Sequence, residues 1–293
     1  MSAIKKAAVA AVRRAPLPLA TPLVRRRIRK VQRDPQLLEV AHTQMEFLLG
    51  ASQPDADLDA AARRHLEYVM WRRELRWHPD VITKQSVLGM ENLTKERGPT
   101  GGLLFCFIHH GRYEGSFGAI KRAGGPPLTV VVHPDMVKPI RPVHVSAHLV
   151  VAERGAECVS AELRYTGIRD LVTQGKTVGI AVDQPGSTKV RFLGRDLLGP
   201  SGGVRIAFET ETPMVLLTAR HTSGHDQEVT ISEPLRPADF ADPADMLQSI
   251  LTRCEPSVLA WPEAYDWPKP KFTMLDVDGQ PIPHVRAFGE PDF

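Results

Sequence analysis

Apolar positions recur at helical spacing through the first 78 residues and then change character. Residues 35–49 (PQLLEVAHTQMEFLL) predict a helix stopped by Gly50. Residues 55–77 (DADLDAAARRHLEYVMWRRELRW) predict the longest helix, ended where His78 meets Pro79. Beyond that point short uninterrupted apolar runs take over, at 102–108 (GLLFCFI), 128–132 (LTVVV), 177–182 (TVGIAV) and 213–219 (PMVLLTA). Such runs fit strands buried on both faces of a parallel sheet. Helical patterns separate them at 111–121, 161–174, 202–210 and 244–254, and shorter strands are predicted at 87–88, 190–193 and 228–231. The alternation predicts an α/β fold with a mostly parallel sheet flanked by helices, preceded by an N-terminal helical region. The expected divisions are a basic arm over 1–34, a helical part over 35–80 and an α/β domain over 81–293.

Composition changes this picture only at one end. Of the 293 residues 42% are hydrophobic and 24% charged, ordinary for a globular chain, and no run approaches the 18 or so apolar residues of a membrane span. The three cysteines (Cys106, Cys158, Cys254) are far apart, which favours a reducing compartment over a disulfide framework. The net charge of +3 is uneven. Residues 1–33 carry ten basic groups and no acid, which leaves the other 260 residues at −7.

The arm does not read as a secretion signal, because Ala7 to Val12 is too short an apolar core and Arg13 and Arg14 follow it. Ile4, Ala8, Ala11 and Val12 share one helical face. In a second piece Thr21 could cap and Pro22 could open a helix whose Leu23, Val24, Ile28 and Val31 form a stripe, with Arg25, Arg26, Arg29, Lys30 and Arg33 turned elsewhere. A basic amphipathic helix of this kind suits an anionic membrane surface, which would place the protein in the cytoplasm, peripheral on the inner face of the cell membrane. A helix packed on the body, or an arm for nucleic acid, are the alternatives. With aromatics at 6% and no basic–aromatic interleaving, nothing else supports nucleic acid.

Ligands of α/β proteins gather beyond the carboxyl ends of parallel strands. There the run at 102–108 feeds into His109, His110, Gly111, Arg112, Tyr113 and Glu114, and then into a helix. Within one helix His109 and Glu114 would stand about 140° apart. With His109 in the turn and Glu114 in the first helical turn, the carboxylate could reach back to one imidazole nitrogen, as a general base is held by its orienter. The same spacing also fits a simple helix N-terminal charge beside an unremarkable turn histidine.

The run H-H-G-R-Y-E after an apolar strand resembles the H-x4-D/E motif of glycerolipid-type acyltransferases, nearest the branch of lipid A biosynthesis and phosphatidylinositol mannoside acyltransferases. Val87 to Leu93 (VLGMENL), Leu163 to Gln184, Phe192 to Gly194 (FLG), Ser201 to Pro213 (SGGVRIAFETETP) and Trp261 to Trp267 (WPEAYDW) are similar to further family segments in the same order. The resemblance runs over about 35–270 and departs from the family at His110 and Arg112. It implies that His109 takes a proton from an acceptor hydroxyl or amine, that Glu114 orients His109, and that the acceptor attacks an acyl-CoA or acyl-carrier-protein thioester. The acceptor would be a glycolipid or other lipid-like molecule. No cofactor is expected. Arg112 would serve a phosphate or the oxyanion. Arg164 lies in a helix that is functional in the family, Asp183 would make a polar substrate contact, and Ser201 with Gly202 would offer helix-end amides to phosphate. Lys269 and Lys271 stand where relatives often have Arg.

His133, His144 and His148 suggest a metal site only weakly, having no acidic partner at matching spacing, and no metal is expected. A thioester hydrolase using the same pair on water, and a non-catalytic lipid-binding protein, are the competing functions.

Overall fold

The computed structural model describes residues 16–266 and 273–274. Three helices lead, α1 (Leu17–Val31), α2 (Pro35–Leu49) and α3 (Leu58–Leu75). Then follow β1 (Ser86–Leu88), β2 (Leu103–Phe107), α4 (Tyr113–Arg122), β3 (Leu128–Val132), α5 (Val143–Ala152), β4 (Ala156–Ser160), α6 (Arg164–Thr173) and β5 (Thr177–Ala181). The chain continues through β6 (Thr188–Phe192), β7 (Arg195–Gly199), α7 (Gly202–Glu209), β8 (Met214–His221), β9 (Gln227–Ile231), α8 (Pro243–Ala260) and β10 (Thr273–Met274). The main sheet has seven strands in the order β1-β9-β8-β2-β5-β3-β4. All its pairings are parallel except β8 with β9. β6, β7 and β10 form a small antiparallel sheet.

Strand β2, at the centre, shows why its sequence is apolar throughout. Leu104, Cys106 and Ile108 join the core that also holds α1, α2, α3 and α8, whereas Leu103, Phe105 and Phe107 join the opposite core with Phe117 and Ile120 of α4. Alternate side chains leave a strand on opposite faces, so burial on both faces demands an unbroken apolar run. The α/β prediction holds. The elements it lacked are α5, β4, β7 and β10. Helix α8 also runs on to Ala260, through Pro256.

Helix α1 departs from expectation at both ends of the argument for it. It begins at Leu17, so Thr21 is no cap: its Oγ1 donates to the Leu17 carbonyl at 3.1 Å, and Pro22 lies inside the helix. The prolines before and in the first turn explain the earlier start, since no intrahelical N–H is needed there. Ala20, Val24, Ile28 and Val31 are buried, with α1 lying against α3, while Leu23 is exposed. The apolar stripe is thus consumed by the body of the protein, and Arg25, Arg26, Arg29, Lys30 and Arg33 remain outward. The face expected from Ile4 to Val12 and the positions of Lys269 and Lys271 lie outside the described residues. No helix among the described residues is long and apolar enough to cross a membrane.

Candidate active site

At the carboxyl edge of the sheet, β2 and β5 end side by side and bring His109 to Asp183. The carboxylate of Asp183, fully buried, accepts from His109 Nδ1 at 2.7 Å and from the His109 backbone N–H at 2.8 Å. Its Oδ2 also accepts from the Tyr265 hydroxyl at 2.9 Å. An Nδ1–H bonded to a carboxylate leaves the lone pair on Nε2. That nitrogen makes no hydrogen bond among the described residues, and the side chain keeps 16% of its surface exposed. The arrangement is that of a general base: one nitrogen held, the other available, and a buried negative charge to match the imidazolium formed on protonation.

Glu114 does not occupy the place expected of it. It lies in the first turn of α4 and is wholly buried, but its partners are arginines of α3. Arg72 Nε and Nη2 donate to it at 3.1 and 2.9 Å, and Arg76 Nε at 2.9 Å. Burial alone would raise its pKa; the two guanidiniums outweigh that and hold it well below the usual carboxylate range. The pairing is a matter of direction. His109 turns toward β5, where the nearer carboxylate is Asp183, whereas α4 carries Glu114 against α3. Arg72 also binds Asp266 at 2.8 Å through Nη1. It lies 4.9 Å from the centre of the Tyr113 ring, which stands edge-on to the His109 ring at 4.7 Å.

The segment after α8 fastens the turn. The Asp266 N–H donates to the His109 carbonyl at 2.6 Å, and the Gly111 N–H to the Ala264 carbonyl at 3.0 Å. His110 points away from the base, its Nε2 2.9 Å from the Trp261 carbonyl, and burial pushes its pKa down to about 4, so it is neutral there and donates. Gly111 adopts φ +65°, and a Cβ on it would meet Gln227 Oε1 at 2.8 Å and Ala219 Cβ at 2.9 Å. The same Gln227 oxygen accepts from the Arg112 N–H. Arg112 therefore leans to the β8–β9 side of the turn while His109 leans to β5.

The other expected residues spread along the edge. Arg164 is exposed at the start of α6 with φ 53°, just beyond the carboxyl end of β4. Ser201 and Gly202 open α7, whose Gly203 packs against Ile180 near the end of β5, and a Cβ on Gly202 would meet nothing within 4 Å. The sheet edge thus collects His109, Asp183, Arg164 and the α7 amides, and leaves Glu114 and Arg112 to other neighbours. His133 binds the Asp135 N–H, and His148 lies 5.6 Å from the Tyr113 ring.

Sequence reasoning missed Arg72, Arg76, Tyr265 and Asp266. Their signals were present: Tyr68, Arg72 and Arg76 recur every fourth residue, on one face of α3, and Tyr265 and Asp266 belong to the W-P-E-A-Y-D-W segment.

The fold is similar to the 1-acyl-sn-glycerophosphate acyltransferase PlsC from Thermotoga maritima, at 12% identity and a TM-score of 0.39 over 76% of this chain and 95% of that one. No curated protein matches. Residues 7–273 match the bacterial lipid A biosynthesis acyltransferases, and the chain belongs to that family.

Proposed function

We propose that this lipid acyltransferase moves a fatty acyl chain from an acyl thioester, of CoA or of an acyl-carrier protein, to a hydroxyl or amine of a glycolipid or other lipid-like acceptor, with His109 as general base. The observation that carries the reading is the bond from His109 Nδ1 to buried Asp183, with Nε2 unbonded among the described residues at the sheet edge. Nε2 takes the acceptor's proton as its oxygen or nitrogen forms a bond to the thioester carbonyl carbon. The tetrahedral intermediate then expels the thiolate, and the imidazolium returns the proton to it. Asp183 orients the ring and matches its transient charge. Glu114 acts at one remove: with Arg72 and Arg76 it fixes α4 against α3, and with them the Tyr113 ring beside His109. Arg164, Ser201 and Gly202 stand on the same edge, where cationic and amide donors suit an anionic part of a substrate. The outward basic face of α1 would hold the enzyme to an anionic membrane on the cytoplasmic side.

The test is free-thiol release from acyl-CoA and acyl-carrier-protein donors, with and without a bacterial lipid extract, for the wild type and His109→Ala. Release that is stimulated by extract and lost in the folded variant is expected. Release indifferent to extract but lost in the variant would indicate a hydrolase. No release from any donor would indicate lipid binding without catalysis.

A further inference from the structure

Beside β8, helix α3, the β8–β9 turn and the residues following α8 enclose a cleft of about 590 Å3. That is the size of a small-molecule site. His109 does not line it, but Arg112 does. Arg112 is 5% exposed, and its guanidinium makes no hydrogen bond or ion pair with any described residue; its Nε is fully enclosed. On the same wall the enclosed hydroxyl of Tyr68 also has no hydrogen-bond partner among the described residues. Buried polar groups are nearly always paired, and a buried cation without a counter-charge is costly. Desolvation pushes the Arg112 pKa down, the opposite of what a resident anion would do.

The other arginines at the cleft have carboxylate partners, although Arg220, two-thirds exposed at the mouth, engages only its Nε and keeps both Nη groups unbonded among the described residues. Arg72 is saturated by Glu114 and Asp266, Arg64 pairs with Glu263, and Arg220 pairs with Glu228 at 2.7 Å. Of the acids, Glu67 lines the cleft and Asp226 lies in the field of Arg112, but neither forms an ion pair with it. Aromatic surface completes the walls: Trp71 lies 4.2 Å from His225 with the rings tilted by 51°, and Trp261 meets Tyr68 edge-on at 5.3 Å.

We propose that this cleft binds a phosphorylated small molecule, its phosphate held by Arg112 with Arg220 at the mouth and its remaining part lying along Trp71 and Trp261. A guanidinium offers parallel N–H donors matched to phosphate oxygens, and an aromatic wall suits a base or sugar. A cleft far larger than one phosphate calls for such a remainder. The phosphate could belong to the nucleotide end of a thioester donor or to a phosphorylated acceptor headgroup. The site does not depend on the acyl-transfer reading, because its occupancy can be measured without a thioester.

The experiment is calorimetric titration of the full chain, at constant ionic strength, with inorganic phosphate, adenosine 3′,5′-bisphosphate and glycerol 3-phosphate, alongside intrinsic tryptophan fluorescence, to which Trp71 and Trp261 contribute. Saturable one-to-one binding of at least one probe is expected, and whether the nucleotide or the glycerol phosphate binds more tightly identifies the source. Arg112→Met and Arg220→Ala should each weaken it by about tenfold or more, whereas Arg191→Ala in β6, which does not line the cleft, should not. Should Arg112→Met fail to fold, Arg112→Lys and Arg220→Ala decide. No saturable binding of any probe, or unchanged affinity in the folded cleft variants, overturns the proposal.

Discussion

Nδ1 of His109 lies 2.7 Å from Oδ1 of Asp183, across 74 residues of sequence, because β2 and β5 are neighbours and end at the same edge. The second oxygen of Asp183 takes the Tyr265 hydroxyl and the His109 backbone N–H, so the carboxylate cannot rotate away without breaking three bonds. Asp183→Asn should therefore keep the fold and lose the tautomer. A drop in kcat of roughly 10³ is expected, with KM little changed. Thiol release measured beside circular dichroism checks it; near-wild-type turnover would remove Asp183 from the orienting role. Tyr265→Phe removes only one neutral donor and should cost a few-fold, on the order of 1 kcal/mol.

Glu114→Gln tests a different link. The side chain is wholly buried between Arg72 and Arg76, so the variant leaves two guanidiniums short of a counter-charge. Removing one partner of a buried ion pair costs about 3–5 kcal/mol. The folded-state pKa of Glu114 is depressed, so its contribution is fully present above the unfolded carboxylate value, about 4.3, and is lost as pH falls below it. Urea unfolding of both proteins at pH 7 and pH 4 measures this. The variant should be much the less stable at pH 7, and the gap should narrow on acidification. A gap that is small at pH 7 would mean the arginine pair is not a structural anchor.

The sheet and most helices were legible in the sequence because each is local: an apolar run or a periodic stripe carries its own signal. What was not legible has partners far along the chain or no periodicity. Helix α5 (VHVSAHLVVA) is apolar on most sides, and β4 (AECVS) alternates poorly, so neither announces its type. At the site, Asp183 was legible as a polar strand end but not as the partner of His109. Glu114 had the right spacing for that partnership, and spacing within a motif does not reveal which way a helix turns its first carboxylate. Arg72 reaches Glu114 across 42 residues and Tyr265 reaches Asp183 across 82, distances at which only the fold brings groups together.

His110 supplies a pH dependence of its own. Burial lowers its pKa to about 4, below the unfolded value near 6.5, so the unfolded chain takes up the proton first. Its contribution is complete above about pH 6.5 and is lost as pH falls toward 4, on the order of 3 kcal/mol in all. His148, pushed down to about 3 by desolvation and then by Arg76, acts with the same sign. His110→Gln keeps a donor for the Trp261 carbonyl and does not titrate. Its stability should fall less steeply than the wild type's between pH 6.5 and 4 in urea unfolding; identical slopes would mean His110 takes up its proton equally in the folded and unfolded states.

The fate of the α1 stripe changes how membrane attachment must be tested. With Val24, Ile28 and Val31 buried against the body, deleting the arm would uncover core and confound the result. Charge is what remains to meet a membrane, so the informative variant reverses exposed charges and leaves the buried face alone: Arg25, Arg26, Arg29 and Lys30 to Glu. At about 1 kcal/mol for each basic group near an anionic surface, merely losing four would weaken binding roughly 10³-fold. Vesicles of phosphatidylglycerol and phosphatidylethanolamine, sedimented at low salt, measure the difference. Wild-type binding should fall as salt shortens the screening length, and the variant should stay in the supernatant. A variant that still sediments would move the attachment off α1, to the exposed apolar residues Ile140 and Val143 near the active-site edge or to the part of the arm before Pro16.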